Sequence, residues 1–78
     1  MRSMTSRVIV ADADILNGVP CFRGTRVPFK NLMDYLVDGE PLEEFLIDFP
    51  TVTREQVIEA LEEAKTSLLA TVPLATVA

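Results

Sequence analysis

From Phe29 onward, apolar residues recur at spacings of three and four, the period of a helix with one buried face. Phe29, Leu32, Met33, Leu36 and Val37 form the first set, with Pro28 in the first helical turn and Gly39 as the left-handed stop. A second set, Leu42, Phe45, Leu46 and Phe49, begins after Pro41 and closes at Pro50. Glu43 and Glu44 fall in its first turn, where the helix dipole favours acids. The third helix has the clearest start: Thr53-Arg-Glu-Gln56 is a capping box, flanked by Val52 and Val57 as a hydrophobic staple. Its stripe is Val57, Leu61, Ala64 and Leu68, and it runs to about Leu69.

Before Pro28 the pattern is that of strands. Arg7-Val-Ile-Val-Ala11 is a β-branched run, and Asp12-Ala-Asp14 ends it by competing for backbone hydrogen bonds. Ile15 and Leu16 read as core residues in an irregular connection that closes on the turn dipeptide Asn17-Gly18. A second extended piece follows at Val19 to Phe22. The fold class is therefore mainly α with a small β element: a three-helix, helix-turn-helix-like domain preceded by a short β ribbon. Residues 1–69 form that domain and residues 70–78 a C-terminal tail, which either orders on a partner or frays.

Between the two halves lies Gly18 to Pro28, a corner rich in glycine and proline that carries Arg23 and Arg26. Pro20 and Pro28 hold Val19 and Val27 extended, and Gly24 stands where a reversal needs positive φ. The corner presents two guanidinium groups on a rigid turn.

Composition changes the picture in two ways. In a chain of 78 residues, 49% apolar content exceeds what so small a body can hide, which predicts a homo-oligomer or a tight complex. With one cysteine and no histidine, the usual zinc, haem and Cys-His sets are absent, so no cofactor is expected. Cys21 reads as a small buried apolar residue. No nucleophile has a base partner, and the acids lie on helix faces without a motif; an enzyme is not expected. The N-terminal residues lack a signal-peptide run and the apolar tail is too short to span a bilayer, so the expected setting is the cytoplasm, away from membranes.

Charge is unevenly divided. Residues 1–30 carry five cations against two acids, a net of +3, while residues 31–78 carry two against ten, a net of −8. The basic half suits an anion or an acidic partner; the acidic half repels nucleic acid.

The residues Gly18-Val-Pro20, Arg23-Gly-Thr-Arg26-Val-Pro28, Leu42-Glu-Glu-Phe45-Leu46, Phe49-Pro50 and Val52-Thr-Arg-Glu-Gln-Val57 together resemble the bacterial domain-of-unknown-function family 433, over roughly Arg7 to Lys65. The resemblance implies a helix-turn-helix-like fold with a small β element. It also implies an antitoxin role like that of the VapB class, with a PIN-like ribonuclease toxin as partner. Glu40-Pro41 departs from the family pattern, where a Ser or Thr cap is usual, and the tail after Lys65 is not covered.

Arg23, Thr25 and Arg26 are the candidate partner-binding residues, because arginine forks suit carboxylates and phosphates. The competing reading has Arg26 paired internally with Asp34 or Glu44 and Thr25 bonded within the turn. Arg54 and Gln56, at the start of the third helix, are candidate nucleic-acid contacts, as are Arg2 and Arg7 in the basic N-terminal segment. The expectation is a dimeric antitoxin-like protein that neutralises its toxin and binds operator DNA as the complex. A stand-alone transcriptional regulator and a structural assembly module are the alternatives.

Overall fold

The computed structural model describes residues 6–73. Two short strands, β1 (Ile9–Val10) and β2 (Cys21–Phe22), pair antiparallel, with Ile9 opposite Phe22 and Val10 opposite Cys21. Three helices follow: α1 (Phe29–Val37), α2 (Leu42–Asp48) and α3 (Arg54–Thr71). The architecture is the mainly helical one, with a two-stranded ribbon ahead of three helices.

Both strands are shorter than the β-branched run and the Val19–Phe22 segment suggest. Asp12 ends β1 early: its Oδ1 accepts from Asp14 N at 2.8 Å, and its carbonyl accepts from Ile15 N at 2.8 Å. Leu16 and Asn17 then adopt positive φ, at 51° and 57°, so Leu16 turns outward and is exposed, not part of the core. Pro28 also lies one residue outside the helix it was expected to open. It stays extended (ψ 142°) because it bridges Cys21, and Phe29 N donates to Pro20 O at 3.0 Å, so α1 starts at Phe29.

Gly39 is the stop: at φ 85° it lets Glu40 N donate to Tyr35 O at 2.9 Å and Gly39 N to Leu36 O at 3.1 Å, the paired bonds of a Schellman motif. Pro41 precedes α2 without any side-chain cap. The capping box of α3 is formed in both directions, Gln56 N to Thr53 Oγ1 at 3.1 Å and Thr53 N to Gln56 Oε1 at 3.0 Å.

The core is one cluster: Val8, Phe22, Val27, Leu32, Phe45, Val52, Val57 and Ala60. Phe22 sits 6.1 Å, centroid to centroid, from both Phe29 and Phe45, and Tyr35 and Phe49 extend the ring cluster from Phe45. The staple residues Val52 and Val57 are both buried within it. Cys21 is buried, its Sγ donating to Val19 O at 3.2 Å.

The helical stripes are only partly used. On α1, Leu32 is buried but Val37 is 79% exposed, because at about 100° per residue it lies roughly 140° around the helix from Leu32. On α3, Val57 and Ala60 are buried, whereas Ala64 and Leu68, expected to share their face in the core, are exposed.

Candidate partner-binding site

The corner between β2 and α1 is a tight turn locked from three sides. Thr25 N donates to Phe22 O at 3.0 Å, and Gly24, third of the four turn residues, has φ 79°, the positive angle of a type II turn. Thr25 Oγ1 donates to Phe22 O at 2.8 Å and accepts from Val27 N at 3.0 Å. Phe22 N donates to Val27 O at 3.0 Å, closing the loop above the turn. Thr25 thus spends its hydroxyl inside the turn, and its part at this site is to hold the arginines on either side.

Arg23 is anchored at three points. Its amide donates to Val8 O at 2.7 Å, its Nε donates to Arg7 O at 2.8 Å, and its carbonyl accepts from Gln56 Nε2 at 3.1 Å. The Nε bond leaves the terminal guanidinium nitrogens for a ligand, and the residue is exposed. Arg26 is exposed on the same corner, and Arg7, whose carbonyl takes the Arg23 Nε bond, is exposed in the segment before β1.

Ion pairing separates this corner from the rest of the surface. Lys30 pairs with Asp34 at 2.7 Å, Arg54 with Glu43 at 2.6 Å and Lys65 with Glu62 at 2.8 Å. Arg7, Arg23 and Arg26 are the remaining described cations, and among the described residues none has a carboxylate within pairing distance. Neither internal partner envisaged for Arg26 pairs with it: Asp34 holds Lys30, and Glu44 lines a separate acidic concavity with Tyr35, Asp38, Glu40 and Asp48. The bond to Asp34 raises the pKa of Lys30, and the bond from Arg54 lowers that of Glu43.

The contacts expected of α3 with nucleic acid are used within the fold. Arg54 reaches back to Glu43 of α2, and Gln56 is divided between the cap and the Arg23 carbonyl. The tight α2–α3 connection explains both, since it brings the first turn of α3 against α2 and the corner. Arg2 lies outside the described residues. Two links were not legible beforehand: Gln56 to Arg23, and Ser6, whose Oγ donates to Glu63 Oε1 at 2.5 Å while accepting from Val8 N and Ile9 N. Each joins the ribbon to α3 across a sequence separation that no local pattern carries. Among the described residues, no three His, Cys, Asp or Glu side chains are grouped to hold a metal ion.

A family model described as a protein of unknown function, DUF433, matches residues 9–64, which include the ribbon, the corner, α1, α2 and most of α3. The chain belongs to the DUF433 family. The matched stretch holds Arg23, Thr25 and Arg26, leaves Arg7 just outside, and stops at Ala64, before the last turns of α3. No curated protein and no solved structure matches the chain. No helix of the described residues is long and apolar enough to cross a membrane.

Proposed function

We propose that this DUF433 protein is an antitoxin-like protein of the cytoplasm that binds and neutralises a PIN-like ribonuclease, works as a homodimer, and reaches operator DNA only as the complex. The observation that carries this reading is the pairing pattern: Arg23 and Arg26 on the rigid corner, and Arg7 bonded to it through its carbonyl, have no acidic partner among the described residues, while every other described cation is matched. A ribonuclease that uses carboxylates and a divalent metal has an acidic cleft. Arg23 and Arg26 suit such a cleft, where a guanidinium fork takes a carboxylate in two parallel bonds and occupies the place of the cation. Masking needs no chemistry from this chain, only a preorganised surface, and the locked turn supplies it.

A DNA reader acting alone is less well supported. Arg54 and Gln56 serve the fold, and a net charge of −5 opposes approach to phosphates. Titrating the purified chain into a ribonuclease assay of a PIN-like protein from the same genome tests the proposal. Stoichiometric inhibition supports it, and undiminished RNA cleavage at excess chain overturns it. A gel shift of promoter DNA by the chain alone would instead favour the regulator.

A further inference from the structure

The apolar stripe of α3 continues past the core. Val57 and Ala60 are buried and Leu61 is half-buried, but Ala64 and Leu68 carry the same face outward, with Leu68 64% exposed; Val72, the extended residue that ends the helix, is 58% exposed. Leu69 flanks the stripe at 65% exposure, and every residue from Ala64 to Thr71 is exposed. Two helical turns without tertiary contact gain little from propensity alone, so a partner surface is needed to hold this arm.

We propose that the arm is covered by the same arm of a second copy, the two helices running antiparallel about a two-fold axis near Ala64 and Lys65. Charge placement favours this occupant and this direction. The arm's charged side chains, Glu62, Glu63 and Lys65, lie at its start, while Thr66 to Val72 is uncharged. Parallel pairing would set Glu62 and Glu63 beside their own equivalents; antiparallel pairing lays them along the uncharged turns. Size agrees as well. A two-fold axis at that point puts Leu61 of each copy opposite Leu68 of the other, with the small Ala64 at the crossing, so each leucine contact is made twice. An acidic partner or a nucleic acid would gain nothing from an uncharged leucine face.

The helical arm from Leu61 to Thr71 is only about 17 Å long at about 1.5 Å per residue, so the surface two arms can bury is small. Self-association should therefore have a dissociation constant on the order of 10 μM. It should tighten with salt, because screening relieves repulsion between two copies of net charge −5. Binding through the arginine corner would weaken with salt, so the two surfaces are separable: the dimer rests on the homodimer clause of the proposed function, and its failure would leave ribonuclease binding through the corner standing.

Sedimentation equilibrium of the full chain, from about 1 to about 200 μM, tests the proposal across the range that brackets that constant. The expected result is a reversible monomer–dimer transition of the 8.6 kDa chain. Leu68→Glu should weaken it about tenfold or more by placing a charge in an apolar contact, while Ile47→Glu, at an exposed apolar position on α2, should leave it unchanged. A wild-type chain that stays monomeric throughout, or a Leu68→Glu chain that associates like wild type, would overturn the proposal. So would an oxidised Thr71→Cys chain that cross-links through position 71, because only parallel arms bring those positions together.

Discussion

The side-chain amide of Gln56 donates to the main-chain carbonyl of Arg23 at 3.1 Å while its oxygen accepts the Thr53 amide at 3.0 Å, so one residue both caps α3 and holds the arginine corner. The two tasks can be separated chemically. Gln56→Glu keeps an acceptor for the cap but has no N–H for Arg23, whereas Gln56→Ala loses both. Gln56→Ala should cost about 1–2 kcal/mol by urea unfolding. Gln56→Glu should cost less, yet still speed hydrogen exchange at the Thr25 and Val27 amides. Equal protection of those amides in Gln56→Glu and wild type would disconnect α3 from the corner.

Thr25 should matter for stability. Thr25→Val removes a donor to Phe22 O and an acceptor for Val27 N, with an expected loss of about 1–3 kcal/mol, while Thr25→Ser restores most of it. Denaturant midpoints decide; a Thr25→Val protein as stable as wild type would mean that the turn is held by Gly24 and the backbone alone.

The cap of α3, the Gly39 stop and the inward-facing part of each apolar set, such as Leu32, Phe45 and Val57, were legible in the sequence because each depends on residues within one or two turns. What those rules do not carry is whether anything lies on an apolar face. Val57 and Leu68 follow the same period, yet one is buried and the other is open to solvent, since the core ends between them. The site divides similarly. A rigid corner displaying Arg23 and Arg26 follows from Gly24, Pro20 and Pro28, but that Arg26 lacks an acidic partner among the described residues depends on Lys30 claiming Asp34 and on where α2 falls.

Tyr35 offers a spectroscopic test of the α1–α2 packing, because it is the only tyrosine and the chain has no tryptophan. Its hydroxyl donates to Asp48 Oδ2 at 2.5 Å. That bond first, then desolvation and then the carboxylates of Asp48, Glu44 and Glu40 push its pKa up from 10.0 to about 12. With the folded value above the unfolded one, the stabilising contribution is complete below pH 10 and is lost as pH rises through about 12. Phenolate absorbance of the folded chain should therefore rise near pH 12, and Asp48→Asn should move the midpoint down towards 10.0. An unchanged midpoint in Asp48→Asn would contradict the bond.

Phe45 is fully buried and touches three other rings. Phe45→Ala should cost about 3–5 kcal/mol, a large share of the stability of so small a domain, and leave the chain largely unfolded by circular dichroism. Val37→Ala, at an exposed position, should change stability by no more than about 0.5 kcal/mol.

The claim on which the functional reading rests is that the unpaired arginines are a binding surface. Arg26 makes no side-chain hydrogen bond or ion pair among the described residues, so its loss should leave folding untouched. The direct measurement is the affinity of Arg26→Ala for the proposed PIN-like ribonuclease partner by isothermal titration calorimetry, with wild type and Lys30→Ala alongside. The account predicts binding weaker by about tenfold or more for Arg26→Ala, a deficit that shrinks at high salt, with Lys30→Ala close to wild type. Wild-type affinity in a folded Arg26→Ala protein would contradict it.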